Sequence, residues 1–289
     1  MLFRSVAKGA KVAARLQMRE LVPDLLQAFD RLFEKPLERD PQCWGKNAIA
    51  KALTDLDHRE SAPFLRGSRH VQMEPVWGGK ADTAPSLRGV CVLGLAACTD
   101  LPREEILRRL VDRLTEPAYT VRMEAARAIA QMEGDETALL LRLKARAGDE
   151  EARVTGQVFD CLLQVEGERA VEFVAEFMQA GTEEILPEAA LALGVSRFPS
   201  ALTALEQQWA SSHDPNLRLA VLRGLSASRQ EKAFAFLLDL VKGGRAGDTA
   251  PALEALALHR DSEEIRKQVE AAAKEAGDEV AAMYRKTFR

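Results

Sequence analysis

The densest group of chemically capable side chains lies between positions 66 and 88. Arg66, Arg69, His70, Glu74, Trp77, Lys80, Asp82 and Arg88 all fall in or beside one short connector. Gly78 and Gly79 can expose backbone N–H groups as an anion-binding nest, to which Arg66, Arg69 and Lys80 add charge and Trp77 a flat stacking surface. The competing reading is that Trp77 and Met73 plug a groove between neighbouring structural units while the charges face water. Residue types alone leave both readings open.

Elsewhere the search for reactive arrangements is mostly negative. The chain has no GxSxG elbow, no Walker loop and no GxGxxG opening a helix, and Gly243-Gly244-Arg245-Ala246-Gly247 reads as a turn between helices. His58, His70, His213 and His259 are scattered, and none is followed by glutamate. The four cysteines, Cys43, Cys91, Cys98 and Cys161, form no CxxC pair and have no histidine cluster nearby. Cys91 and Cys98, seven residues apart on one helix, are separated by about 10 Å along its axis and cannot bridge each other. Reduced core thiols are expected, with no metal and no cofactor.

What must position these residues is a repeated helical unit. A column of aliphatic anchors returns at Leu53, Leu95, Ile129, Leu162, Leu193, Leu225 and Leu256, at intervals of 42, 34, 33, 31, 32 and 31 residues. The residue before each anchor is small: Ala52, Gly94, Ala128, Cys161, Ala192, Gly224 and Ala255. Apolar positions three and four residues earlier complete a helical period. Each unit is therefore a helix pair whose second helix carries the anchor, and the small neighbour lets an adjacent helix approach. First helices are expected at 21–33, 103–114, 136–147, 170–180, 201–211 and 231–241. A unit of this size cannot bury its apolar face alone, so successive copies must stack.

Turn chemistry sets the same phase. Asp40-Pro41, Glu116-Pro117 and Asp214-Pro215 each precede a second helix, as an acidic cap followed by proline at the first helical position would. Seven residues before the anchor a cation recurs as Lys46, Arg88, Arg122 and Arg218. A cation in a first helical turn opposes the helix dipole and needs compensation, so a structural ladder of pairs with the turn carboxylates is expected. The long first interval places its extra residues in an inserted loop near 66–85.

Runs such as Tyr119-Thr120-Val121-Arg122-Met123-Glu124-Ala125-Ala126-Arg127-Ala128-Ile129, and Asn216 to Leu225, resemble HEAT repeats. Their short period is similar to the phycobilisome-lyase-like subtype, and the resemblance covers roughly residues 20 to 260. The tryptophan, glycine and tyrosine spacing of tetratricopeptide repeats, the minor alternative, is missing. The resemblance implies an all-α fold: a right-handed α-solenoid of about seven helix pairs. It is weak for function, since the family includes scaffolds, chromophore lyases, a hydroxylase and DNA glycosylases. The hydroxylases' repeated His-Glu pairs have no counterpart here. A glycosylase-like set of tryptophans, a carboxylate and arginine would have to come from Trp44, Trp77, Asp82 and Arg88.

Charge and composition bound the partner. With 40 Lys+Arg against 44 Asp+Glu the net charge is −4, and no apolar run approaches the roughly 20 residues of a membrane span. Two positions before the anchors the residues are Lys51, Leu93, Arg127, Asp160, Leu191, Arg223 and Glu254, a mixed ridge that suits a protein better than a nucleic acid. Residues 1–19 hold no acidic residue and put Arg4, Lys8, Lys11, Arg15 and Arg19 on one helix face. This segment is expected to cap the stack as a solvated helix or to touch an acidic partner, nucleic acid or membrane surface. Residues 261–289, with an amphipathic helix from Glu263 to Arg285, are expected to cap the other end. The whole chain then reads as one cytoplasmic domain: a non-catalytic scaffold binding a protein partner on a concave helix face and the inserted loop. A HEAT-like lyase or glycosylase is the alternative.

Overall fold

The structure, a computed structural model, describes residues 2–132 and 134–289. The chain divides into two compact units, Met1–Ala147 and Gly148–Arg289. The first contains α1 (Leu2–Arg15), α2 (Val22–Leu32), α3 (Pro36–Arg39), α4 (Trp44–Asp55) and α5 (Ala62–Gly67). A hairpin follows, β1 (Met73–Val76) with β2 (Gly79–Asp82), then α6 (Pro85–Ala96), α7 (Arg103–Arg113), α8 (Tyr119–Gln131) and α9 (Asp135–Ala147). Helices α1, α4, α6 and α8 pack side by side in one layer, and α2, α5 and α7 back onto α4, α6 and α8.

The second unit repeats this scheme without interruption. It contains α10 (Ala152–Glu166), α11 (Val171–Ala180), α12 (Ile185–Ser196), α13 (Pro199–Ser211), α14 (Pro215–Ala227), α15 (Glu231–Lys242), α16 (Ala246–Leu256), α17 (Glu263–Ala276) and α18 (Asp278–Thr287). The even-numbered helices α10 to α18 form the second-helix layer, and α11, α13, α15 and α17 each back onto the even-numbered helix that follows.

The anchor column is the core of both layers. Leu53, Ile129, Leu162, Leu193, Leu225 and Leu256 are fully buried and Leu95 nearly so. Each contributes about 1.5–3 kcal/mol through burial. The small residue beside the anchor is a steric requirement: a Cβ on Gly94 would collide with the Phe64 ring, and one on Gly224 with the Ala190 carbonyl. The expected first helices appear within two residues of their anticipated limits.

Three local expectations are corrected. Glu263–Arg285 is two helices, because Gly277 takes a φ of +114° and breaks the run. α17 and α18 therefore add a helix pair where a single capping helix was anticipated. Of the three acid-proline turns, only Asp214 caps directly, accepting the N–H groups of Asn216 at 2.7 Å and Leu217 at 3.0 Å. Asp40 reaches further, to the N–H groups of Gly45 and Lys46, and Glu116 faces arginine side chains instead. Finally, the inserted segment is a β-hairpin following the short α5, where a loop was expected.

Candidate functional site

The inserted segment is built inside out. His70, Gln72 and Glu74 alternate with Val71 and Met73, a strand period, but the polar set points inward and the apolar set faces solvent. Gln72 is 2% exposed, whereas Val71, Met73 and Val76 are 57%, 47% and 48% exposed. The strands pair antiparallel from Met73↔Asp82 to Val76↔Gly79, leaving Trp77-Gly78 as the two-residue turn. Gly78 supplies the positive φ, +88°, that such a turn demands. Trp77 at the tip is 103% exposed.

Polar groups fasten the hairpin to the helical layers. The Gln72 amide donates to the Asp40 carbonyl at 2.9 Å and to Glu74 Oε1 at 2.6 Å, and its oxygen accepts from the Cys43 thiol at 3.2 Å. Glu74 Oε1 also accepts the Gln42 N–H at 2.5 Å and the Thr83 hydroxyl at 2.8 Å. Asp82 Oδ1 accepts the N–H groups of Gln72 and Ala84, and Oδ2 accepts Arg88 Nη1 at 2.6 Å. Arg88, 3% exposed, also donates to the His70 carbonyl at 2.9 Å, and its Nε lies 2.9 Å from Glu116 in an ion pair whose angle falls short of a hydrogen bond. Apart from Arg88 Nε, which has only its ion pair, these buried polar groups are hydrogen-bonded, and removing one leaves its partners unsatisfied.

The electrostatics follow from this arrangement. Burial pushes the Asp82 carboxyl up, but the N–H groups of Ala84 and Gln72 and the Arg88 guanidinium outweigh it and hold the group below its usual range. At Glu74 burial is likewise outweighed, here by the Gln72 amide, the Gln42 N–H and the Thr83 hydroxyl. Burial lowers His70, opposed by the Gln72 hydrogen bond and the Asp82 charge and assisted by the charges of Lys46 and Arg88. Burial raises the Cys43 and Cys98 thiols to about 12 and lifts Cys91 as well. All four cysteines are buried and none forms a disulfide.

The residues singled out from sequence therefore separate into three places. His70, Glu74, Asp82 and Arg88 converge in the fastening network. Trp77 and Lys80 project at the exposed end of the hairpin, and Arg69 is exposed ahead of it. Arg66 lies on α5, ion-paired with Asp30 and stacked 4.1 Å over the Phe33 ring. Met73 and Trp77 are exposed rather than buried in a groove, and Gly79 pairs with Val76 across the hairpin. Asp82 and Arg88 neutralise each other. Gln42, Gln72 and Thr83 went unremarked in the sequence, although the His-Val-Gln-Met-Glu alternation was there to mark residue 72.

The basic column is held from within. Lys46 and Asp40, both 0% exposed, lie 3.1 Å apart, and Lys46 also reaches the Leu32 carbonyl at 3.3 Å. Arg122 donates to the carbonyls of Glu116 at 2.8 Å and Pro117 at 3.1 Å. Arg218 pairs with Asp248 at 2.8 Å and lies 3.7 Å over the Trp209 ring. The mixed ridge is exposed at Lys51, Arg127, Asp160, Leu191, Arg223 and Glu254, with Leu93 partly covered.

Comparison with known proteins agrees with the repeat architecture. Residues 172–257 match the family model of HEAT repeats. No curated protein matches. Among solved structures, the complex of CpcE and CpcF of phycocyanin lyase from Nostoc sp. PCC7120 is similar at 19% identity and a TM-score of 0.39, over 90% of this chain and 93% of that chain. An engineered protein aligns at 16% identity and a TM-score of 0.32, over 98% and 87% of the two chains. Human deoxyhypusine hydroxylase in complex with glycerol aligns at 16% and 0.28, over 94% and 97%. None of these superpositions is close enough to carry a functional argument. Residues 172–257 are thus HEAT repeats, and the paired helix layers give the chain an α-solenoid fold.

Proposed function

We propose that the chain is a non-catalytic interaction scaffold that docks a protein partner against its second-helix face and its hairpin. The observation that supports this reading best is the inverted hairpin: Trp77 stands fully exposed among Val71, Met73 and Val76, on a mount fixed by buried polar contacts. A tryptophan can bury some 150–250 Å² in a partner's pocket, and residues of this type dominate binding energies when they dock. A rigid mount reduces the ordering cost of that step. Exposed apolar residues held outward by inward polar ones are costly to solubility and mark an interaction site.

Support for binding over catalysis comes from the groups an enzyme would need. The thiols of Cys43, Cys91 and Cys98 stay protonated at neutral pH, so none offers a thiolate nucleophile. Asp82 and Arg88 are committed to each other, which removes them from a glycosylase-like arrangement with Trp44 and Trp77. The absence of disulfide bonds among the four cysteines favours a reducing compartment such as the cytoplasm.

The test is affinity capture with chemical cross-linking from the native host, comparing the natural chain with Trp77→Ala. Because Trp77 makes no buried contact, the variant should melt like the parent, within about 0.5 kcal/mol. Loss of a cross-linked partner in Trp77→Ala is the expected outcome. An unchanged set of partners on a folded variant would remove the hairpin from the binding surface.

A further inference from the structure

A second surface adjoins the hairpin through a short chain of contacts. Gln42, whose N–H holds Glu74, accepts the Trp44 indole N–H on its side-chain oxygen at 3.0 Å. Trp44, half exposed at the start of α4, meets Phe3 of α1 edge-on at 6.3 Å. From there a groove runs between α1 and α4, with volumes of about 310 Å³ beside Trp44 and about 530 Å³ further along. Ala14, Ala48 and Ala52 form its floor, and Lys11, Arg15 and Lys51 stand on its walls.

The charge here runs against that of the chain. The first 19 residues hold five of the 40 basic side chains and none of the 44 acidic ones, so the remainder carries −9. Arg4, Lys8, Lys11 and Arg15 follow one another at steps of four, three and four, all exposed. No ion pair engages them or Lys51 among the described residues; Arg4 rests 5.8 Å over the Phe3 ring. The facing acidic groups are few: Asp55 lines one end of the groove, and Asp57 pairs with Arg19 and Arg59. Several exposed cations elsewhere do have a carboxylate, as Arg223 has Glu254 and Lys267 has Glu263.

We infer that the groove between α1 and α4 takes an acidic, extended segment of a protein partner. The inference rests on the partner-binding reading above and gives that partner a chemistry. Eleven residues of helix separate Arg4 from Arg15, about 16 Å, which about five residues of extended chain span. Alternate carboxylates on such a chain fall about 6.6 Å apart, close to the roughly 4.5–6 Å steps between successive cations on α1. A membrane surface fits less well, because Ala10, Ala13 and Ala14 on the apolar face of α1 are buried, and the exposed Val12 and Leu16 offer only a small apolar area to insert. A single-stranded nucleic acid fits less well too: it wants successive stacking platforms, and Trp44, the one aromatic residue lining the groove among the described residues, meets Phe3 edge-on.

The experiment measures binding of a fluorescein-labelled octaglutamate peptide to the full chain by anisotropy, with octaglutamine as the neutral probe. Octaglutamate should bind at 50 mM salt and weaken about tenfold by 300 mM, while octaglutamine does not bind. Lys11→Glu with Arg15→Glu, both exposed, should weaken it at least about tenfold with the helical circular dichroism unchanged. Lys267→Glu with Lys274→Glu, the same charge change on α17, should leave it as it was. Octaglutamate bound equally by the α1 variant, or not bound at 50 mM salt, overturns the inference. So does tighter binding of a twelve-residue oligothymidylate or of phosphatidylserine vesicles. Trp77→Ala separates the two claims: captured partners lost there, with octaglutamate binding indifferent to the α1 reversal, would sink the groove and spare the scaffold.

Discussion

The two units solve one electrostatic problem in opposite ways. The first unit places Lys46, Arg88 and Arg122 in the first turns of α4, α6 and α8, and the second places Arg218 in that of α14, where the helix dipole is unfavourable to a cation. In the first unit Lys46 and Arg88 are sealed, at 0% and 3% exposure, inside polar networks that reach from Asp40 to Glu116. In the second unit Arg218 keeps 24% of its side chain in water and settles for Asp248 and the Trp209 ring. For Lys46 and Arg88 the difference accompanies the insertion, while Arg122, 5% exposed in the same unit, is held by the carbonyls of Glu116 and Pro117. Where the hairpin covers the helix ends water is excluded, and every charge must find an internal partner; where nothing covers them, solvent does part of the work.

The largest test of that contrast removes a sealed partner. Asp40→Ala leaves Lys46 buried without its carboxylate and should cost about 3–5 kcal/mol in urea unfolding, whereas Asp248→Ala opposite Arg218 should cost under about 1 kcal/mol. Equal losses would mean that burial does not distinguish the two units. Next in size, Gly224→Ala in the second unit drives a methyl into the Ala190 carbonyl and should cost about 1–3 kcal/mol by the same measurement, with Gly247→Ala, in open space, as its neutral counterpart. Asp214→Ala removes the direct cap of α14 and should lower stability by about 1 kcal/mol.

The smallest expected effect is the acid sensitivity that the hairpin's own carboxylates contribute. Glu74 and Asp82 have folded-state pKa values below their unfolded ones, so their contribution is present above the unfolded values and is lost as pH falls through the folded ones. Melting temperature should therefore begin to fall below about pH 4.5, and a Glu74→Gln, Asp82→Asn double variant should show a flatter profile there, from a lower starting point. A parallel profile in the double variant would place the acid-labile groups elsewhere.

Local periodicity made most of the helical architecture legible. The anchors and their small neighbours are each other's steric complement, so Leu53 to Leu256 read as a column from the sequence alone, and all seven are buried. The break at Gly277 was invisible because the amphipathic stripe continues through it. The hairpin was obscured for a different reason. Its charges drew notice as possible ligands, while the signal that mattered was the alternation at 70–74, running opposite to the usual burial rule. Glu116 misled as a cap because a carboxylate in a turn can equally serve an arginine from the preceding pair, a choice fixed only when Arg88 and Arg113 converge on it.

Holding and displaying are assigned to different side chains in the hairpin, and this has a consequence for how such a protein can change. Residues 70, 72, 74 and 82 clamp, while 71, 73, 76 and 77 are free of the clamp. The outward set can be rewritten without loosening the inward one, so the hairpin's exposed surface can change by single substitutions that leave the folded state nearly as stable as before. A laboratory library randomised at those four outward positions would explore that freedom directly.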